Sequence, residues 1–363
     1  MQYLKSFLNL PSDQLKNLST RIFNRKSLVI SQTTPYEVID TYKHASIRFY
    51  ESNQKKYKEP IVFVSPLAIN MSIYDLFPYR SLVKYLNESG FDIYLIEWGE
   101  LNYSHKHLDF LYFIDEAIPA CIDKILNHSK SNQISLHGWS MAGLFVSLYT
   151  ASHQPACVKN LIVLGSPIDS YASGYIGKVF ERANQYISKN SKLDYLLTHR
   201  IIPTKYTQTP GLLNVLGFKI IDPKGWYISK KQLFNNLNDL VSLSENATLT
   251  DFLNNMIDYP GGIVQDMVFN VWLKNPLKSG FIQFKNKEIQ LKNITCPLMI
   301  GAGSRDQIVS EASAKTLSTL TSSQDFTFTL ITGGHLGIMS NQNSASDFWP
   351  ALSDWLAKRS TKL

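Results

Sequence analysis

The chain has 363 residues, of which 44% are hydrophobic and 18% are charged. This composition can bury a large core and excludes a disordered polyelectrolyte. The net charge of +7 is spread along the chain without a basic run, which excludes a nucleic-acid footprint and is compatible with anionic substrates or surfaces.

The cysteines and the N-terminus argue against a secreted or membrane-spanning protein. Cys121, Cys157 and Cys296 are odd in number and form no C-x-x-C pair, so the sequence predicts buried free thiols rather than disulfides or a structural zinc site. The first residues lack the apolar core of a signal peptide, and no apolar run reaches the roughly 18 residues of a transmembrane helix. We therefore expect a cytoplasmic location.

Residues 1–30 are predicted to form an N-terminal helical segment. Leu15, Leu18 and Ile22 recur at helical spacing. This pattern favours short helices packed on the body of the protein over an anchor for a membrane or a partner. Residues 37–50 follow as two β segments around a polar turn.

A strand–helix rhythm begins near residue 60. Short apolar runs predict strands at 61–66, 91–98, 134–138 and 160–167, and helical spacing predicts helices at 72–89, 109–128 and 141–152. Short buried strands that alternate with helices indicate an α/β fold with a mostly parallel sheet covered on both faces.

The rhythm is interrupted once and then resumes, with strand-like runs at 296–303 and 326–334. The intervening residues are rich in aromatic side chains and helical in pattern. We therefore predict one α/β body formed by residues 31–169 and 291–363, with a helical cap or lid inserted at 170–290.

A sharp turn between a strand and a helix is predicted at Gly138-Trp139-Ser140-Met141-Ala142. This run resembles the G-x-S-x-G nucleophile elbow, with alanine at its last position. Small residues at both ends let the chain close, and the N-terminus of the following helix favours developing negative charge. Ser140 is therefore the predicted nucleophile, although the five-residue match alone could equally mark an ordinary strand-end serine.

Two partners for Ser140 follow in the order that such an elbow requires, an acid and then a histidine. Asp306 and His335 each come directly after a predicted strand, at the sheet edge where α/β proteins build their sites. We assign His335 as the general base and Asp306 as the residue that orients it. Together these residues predict the α/β-hydrolase fold.

The oxyanion hole is predicted from backbone N–H groups. Met141 would supply one, and the loop at Leu67 and Ala68 would supply the other. His137, which stands just before the elbow, is interpreted as a histidine at the edge of the core.

Other polar residues are weaker candidates. Asp169 follows a strand and is an alternative acid, but Asp306 is preferred because it stands before the final strand. His105, His107 and Asp109 could suggest metal ligands, yet their spacing favours a surface loop. No metal and no cofactor is predicted.

Six segments together resemble the polyhydroxyalkanoate synthase family, in its short class III-like form. They are TPYEVIDTYKHASIRFY (34–50), PLAINMSIYDLFPYRSLVKYLNESGFDIYLIEWG (66–99), GWSMAG (138–143), VKNLIVLGSPID (158–169), CPLMIGAGSRDQIV (296–309) and GGHLGIM (333–339). The resemblance extends over about residues 32–358 and is weak in the predicted cap.

This resemblance implies transfer of (R)-3-hydroxyacyl groups from CoA thioesters into a polyester, as in PHB biosynthesis. The CoA thioester would be a substrate, so no separate cofactor is implied. The implied partners are hydroxyacyl-CoA or polyester, a polyester granule surface, and a homodimer or a class III-type partner subunit. Association with granules would be compatible with the cytoplasmic location.

The chain departs from that family at two positions. The family usually carries cysteine where Ser140 stands, and histidine after the acid where Gln307 stands. A cysteine forms a thioester, whereas a serine forms an oxyester of lower energy and is the usual nucleophile of ester hydrolases.

Three functions therefore stay open. The first is synthase-type acyl transfer, and the second is serine ester hydrolysis by a polyester depolymerase, a lipase or esterase, or a thioesterase. The third is a catalytically silent relative that binds granules or a partner. Under either enzymatic function, Trp139, Trp226, Tyr227 and Trp272 are the aromatic residues expected to line the substrate site.

Overall fold

The computed structural model describes residues 11–67, 69–221, 231 and 233–363. Three residues that the sequence analysis singled out, Ala68, Trp226 and Tyr227, lie outside the described residues. Leu67, the other residue predicted to contribute to the oxyanion hole beside Met141, is described and buried.

The described residues form ten strands, of which eight make one sheet. The strands are β1 (Glu37–Tyr42), β2 (Ala45–Tyr50), β3 (Ile61–Val64), β4 (Ile93–Glu97), β5 (Ile134–Trp139), β6 (Val158–Leu164), β7 (Phe281–Phe284), β8 (Lys287–Gln290), β9 (Leu298–Gly303) and β10 (Phe326–Ile331). The large sheet has the order β1-β2-β4-β3-β5-β6-β9-β10. β1 and β2, and β2 and β4, pair antiparallel, whereas the pairs from β4 to β10 are parallel.

Helices alternate with these strands, and several lie in the long connection between β6 and β9. They are α1 (Ser12–Phe23), α2 (Leu82–Glu88), α3 (Ile118–Ser129), α4 (Met141–His153), α5 (Gly174–Ile187), α6 (Ser191–Thr198), α7 (Gly211–Ile221), α8 (Leu240–Asn254), α9 (Gly261–Val264), α10 (Glu311–Lys315), α11 (Leu317–Leu320), α12 (Gly337–Ser340) and α13 (Trp349–Ala357). None of the helices in the described ranges is long and apolar enough to cross a membrane.

Helix α3 illustrates how the local sequence specifies an element. Ile118, Ile122 and Ile125 are buried on one face at three- and four-residue spacing. Pro119 lacks the N–H that would continue the helical hydrogen bonds, and the residues just before α3, Tyr112–Ala117, are π-helical. Helix α3 therefore continues directly from this π-helical segment and packs its apolar face on the sheet.

Both faces of the sheet are covered. Ile61 and Phe63 of β3 pack into one apolar cluster, while Val62 and Val64 pack into the other. A strand buried on both faces reads as a continuous apolar run, which is typical of parallel sheets between helices. The predicted α/β architecture is therefore confirmed.

Residues 281–290 differ from the helical pattern expected there. They form the β7–β8 hairpin, in which Ile282 and Phe284 are buried and alternate with exposed neighbours. Lys285 adopts the positive φ of 50° that a tight hairpin turn requires. The buried side chains join the same apolar cluster as the sheet, and this long-range packing overrides the local helical pattern.

A buried ion cluster ties the long connection to the body. Arg200, between α6 and α7, donates from Nη1 to Asp109 Oδ2 at 2.9 Å and also pairs with Asp266. Lys285 Nζ lies 2.9 Å from the same Asp109 oxygen. Burial alone would raise the pKa of Asp109, but hydrogen bonds from Lys285, the backbone and Arg200 hold it below its usual value.

We predict that Arg200→Met weakens this attachment. Asp266 is fully buried and, within the described part of the chain, would keep only the N–H of Phe110 as a hydrogen-bond donor, at 2.8 Å, so the unfolding free energy should fall by about 3 kcal/mol. Urea unfolding measures the change. The control Arg182→Met removes an exposed arginine from α5 and should change the unfolding free energy by less than about 0.5 kcal/mol. Equal losses of unfolding free energy in the two variants would contradict the prediction.

Candidate active site

Ser140 occupies a strained turn between β5 and α4. Its φ of 58° and ψ of −126° lie in a region that residues other than glycine rarely adopt. Ser140 N–H donates to Leu164 O at 2.8 Å, and Gly143 N–H donates to Ser140 O at 3.0 Å. The turn therefore presents the serine side chain beyond the end of the strand, as the elbow motif predicts.

Small residues are required around this turn. A Cβ on Gly138 would collide with the backbone of Ala142, and a Cβ on Gly143 would collide with Ser166 Oγ. Ser166 Oγ in turn donates to Ser140 O at 2.8 Å. Ser166 was not predicted as a site residue, because in the sequence it is only a small residue near the end of the strand predicted at 160–167.

The structure brings the predicted Ser140, His335 and Asp306 together. His335 Nε2 lies 2.9 Å from Ser140 Oγ, and His335 Nδ1 lies 2.7 Å from Asp306 Oδ2. A carboxylate accepts the Nδ1–H, which leaves Nε2 free to accept the serine proton. The arrangement can activate a serine hydroxyl for attack on an acyl carbonyl.

The carboxylate of Asp306 is itself held in place. Its Oδ1 accepts from the backbone N–H groups of Ile308 at 2.8 Å and Val309 at 2.9 Å. The Asp306 side chain is fully buried and that of His335 nearly so. These bonds fix the orientation of the carboxylate.

Strand register explains why the acid and the histidine meet. β9 and β10 pair in parallel with Ile331 opposite Gly303, so both strands end at the same edge. Beyond that edge, Arg305 N–H donates to Gly333 O at 2.9 Å. Gly333 has a φ of 146°, which side chains disfavour, so glycine suits the turn that leads to His335.

Trp139 packs against His335. Its ring centroid lies 5.1 Å from that of His335, with the planes tilted by 36°. Trp139 is buried, and its Nε1 has no hydrogen-bond partner. Trp139, which was predicted to line the substrate site, therefore packs on one side of the His335 ring.

The oxyanion hole stays a prediction. Met141 is the first residue of α4, where backbone N–H groups lack partners within the helix. Val64 at the end of β3 pairs with Gly138, which brings the buried Leu67 to the same edge of the sheet. Ala68, the other candidate, lies outside the described residues.

Two other predicted residues lie in different surroundings. Asp169 Oδ1 accepts from Asn275 Nδ2 at 2.8 Å, and its other oxygen lies 3.5 Å from Lys278 Nζ. The alternative acid thus anchors the connection between β6 and β9, while Asp306 contacts the histidine. Trp272 packs on Phe180 with centroids 5.4 Å apart.

The remaining histidines do not assemble a metal site in the described part of the chain, where no group of three or more His, Cys, Asp or Glu residues is arranged to hold an ion. His105 packs on His44 with centroids 5.0 Å apart. His137 lies fully buried beside Phe63, and burial lowers its pKa to about 3. His137 is therefore a neutral core residue.

Comparison with curated proteins finds relatives over most of the chain. A protein of Haloferax mediterranei named poly(3-hydroxyalkanoate) polymerase subunit PhaC is 28% identical over 90% of this chain and 64% of its own length. The PhaC of Thiocystis violacea is 25% identical over 84% of this chain and 82% of its own length. The PhaC of Synechocystis is 26% identical over 93% of this chain and 87% of its own length. These relatives confirm the resemblance to polyhydroxyalkanoate synthases. The chain spans less than two thirds of the length of the Haloferax mediterranei protein and of the PhaC of Haloarcula marismortui.

Solved structures and a sequence family agree on the fold. A monoglyceride lipase of Saccharomyces cerevisiae superposes with a TM-score of 0.57 at 14% identity, over 92% of this chain and 96% of that one. A monoacylglycerol lipase of Paleococcus ferrophilus superposes with a TM-score of 0.51 at 17% identity, over 84% of this chain and 98% of that one. The sequence model of the alpha/beta hydrolase fold matches residues 69–342. The chain therefore belongs to the alpha/beta hydrolase family.

Proposed function

We propose that this protein is an acyltransferase that builds a polyester from (R)-3-hydroxyacyl-CoA thioesters. The observation that carries the proposal is the hydrogen-bonded series from Ser140 through His335 to Asp306, in a chain whose relatives are named poly(3-hydroxyalkanoate) polymerase. No metal or redox cofactor enters the proposed reaction, because a serine, a histidine and a carboxylate can together carry out acyl transfer.

The first half-reaction acylates the serine. Ser140 Oγ attacks the thioester carbonyl while His335 Nε2 accepts the hydroxyl proton. The resulting oxyanion would be stabilised by the N–H of Met141 and one from the loop after β3. The carbon–sulfur bond then breaks, and His335 returns the proton to the departing CoA thiolate.

The second half-reaction transfers the acyl group to a hydroxyl. His335 Nε2 accepts the proton of a hydroxyl at the end of another hydroxyacyl chain, whose oxygen attacks the Ser140 ester. The oxyanion collapses, the Ser140–acyl bond breaks, and His335 reprotonates Ser140 Oγ. Asp306 stabilises the imidazolium that forms in each half-reaction.

Ester hydrolysis is the second candidate, and the serine nucleophile favours it. An acyl-serine is an oxyester, the intermediate that ester hydrolases use, and water can replace the hydroxyacyl acceptor without any change in the triad. The catalytically silent relative is the third candidate. An intact set of nucleophile, base and acid argues against it.

Partners also belong to the proposal. The relatives from Haloferax mediterranei, Thiocystis violacea and Synechocystis are each named as a subunit, which supports a partner subunit. A homodimer and attachment to a polyester granule in the cytoplasm remain expectations of the same proposal.

An active-site probe tests whether the protein is an enzyme. A fluorophosphonate should add once, at Ser140, and Ser140→Ala should abolish the adduct while Ser188→Ala, at the end of α5, leaves it intact. Asp306→Asn should slow labelling by about 10³-fold or more because the histidine loses its orienting carboxylate. Mass spectrometry gives stoichiometry and site; a folded protein without an adduct would support the silent relative.

Product analysis separates the two enzymatic functions. Purified protein given (R)-3-hydroxybutyryl-CoA should release CoA and form polymer, because the acceptor is a hydroxyl rather than water. Chromatography quantifies CoA, and NMR with size-exclusion analysis identifies the acyl product. Release of monomeric 3-hydroxybutyrate alone would overturn the synthase proposal in favour of hydrolysis.

Ser140→Cys tests the role of the nucleophile. A thiolate would form a thioester, which retains more of the acyl-transfer potential of the CoA substrate. The variant should therefore raise the ratio of polymer to free acid, measured in the same assay. An unchanged ratio at comparable turnover would count against the idea that thioester retention governs the product.

A further inference from the structure

A second cavity lies away from the triad, beside the N-terminal helix. Its volume is about 650 Å³, and its walls come from the end of α1, the turn that follows it, and residues 233 and 234. None of the residues assigned to acyl transfer lines it. Basic side chains and apolar side chains both face this space, which we call the α1 cavity.

Arg21 is a buried cation that has no anionic partner among the residues that the structure describes. It is 8% exposed, and its Nη2 donates to two neutral acceptors on α8, Asn246 Oδ1 and Thr250 Oγ1, each at 2.9 Å. Its Nε is buried without any partner. Within the described ranges no carboxylate forms an ion pair with Arg21. A buried guanidinium in this state is costly unless an anion joins it.

Two neighbouring basic residues add to the excess of positive charge around Arg21. Arg25 also lines the α1 cavity and pairs with Asp251 at 3.3 Å. Lys26 lines it too, and among the described residues no carboxylate pairs with Lys26. Three basic side chains thus face one acid. Burial and the nearby charge of Arg25 both lower the pKa of Arg21, as expected for a cation that lacks a counter-ion.

Apart from Asn24, the other residues that line the α1 cavity are apolar. Leu18 and Leu233 belong to one small buried cluster. Ile22 and Phe23 are 60% and 85% exposed and line the same space. Exposed apolar side chains next to an uncompensated buried cation match a ligand that has an anionic head and a hydrocarbon chain.

We propose that the α1 cavity binds a monomeric anionic amphiphile. Its carboxylate or phosphate head would accept hydrogen bonds from the free donors of Arg21, and its hydrocarbon chain would lie on Ile22 and Phe23. Since Arg21 also bonds to Asn246 and Thr250, an occupant would strengthen the contact of α1 with α8. This site is independent of the proposed acyl transfer.

Calorimetric titration of the full chain tests the site with octanoate and octyl phosphate as probes, both kept below their micelle concentrations. Both should bind, whereas octanol should bind at least about 10-fold more weakly because it lacks the charge. Arg21→Met should lower the affinity for both anions about 10-fold or more. Lys16→Met removes an exposed charge from the same helix outside the α1 cavity and should leave the affinity unchanged.

Several results would overturn the proposal. Octanol binding as tightly as octyl phosphate would remove the role of the cation, and so would unchanged affinity in folded Arg21→Met. Binding to phosphatidylglycerol vesicles without binding to either monomeric probe would indicate a membrane surface instead. If Arg21→Met does not fold, Arg21→Lys takes its place in the test. Lysine keeps the positive charge but lacks the planar guanidinium group, so the affinity for both anions should fall about threefold or more. An unchanged affinity in Arg21→Lys would then overturn the proposal.

Discussion

The strained backbone at Ser140 is the constraint on which the site depends. A non-glycine residue at such φ and ψ values costs about 1–3 kcal/mol and persists only where its surroundings fix it. Here β6 and the residues after it hold both sides of the peptide, because Leu164 O accepts from Ser140 N–H and Ser166 Oγ donates to Ser140 O. The same contact explains why residue 143 is glycine, since a side chain at this position would collide with Ser166 Oγ.

The order of the strands in the sheet brings Asp306 and His335 close to the strained turn at Ser140. β6 lies between β5 and β9, and β9 pairs with β10, so the loops after all these strands open at one edge. Ser140 and His335 are 195 residues apart in sequence, yet their side-chain atoms lie 2.9 Å apart. The long connection between β6 and β9 can therefore vary in sequence without moving the triad, provided that the strand order is kept.

Local signals predicted much of this arrangement and long-range packing supplied the rest. Apolar runs marked the strands, and a small–x–Ser–x–small pattern marked the turn at Ser140. The partner of Asp169 could not be read in this way, because Asn275 lies 106 residues further along the chain. The contact of Trp139 with His335 and the β7–β8 hairpin likewise depend on neighbours that are distant in sequence.

The proposed chemistry uses an oxygen nucleophile rather than a sulfur one. Burial raises the pKa of Cys121 to about 12 and that of Cys296 to about 11, and Cys157 precedes β6 at the opposite end from Ser140. With an acyl-serine, most of the free energy of the CoA thioester is released in the first half-reaction, and transfer to a hydroxyl exchanges one oxyester for another. Water would then be the more favourable acceptor. Under the proposed acyl transfer, exclusion of water around His335, against which Trp139 packs, would therefore decide between polymer and free acid.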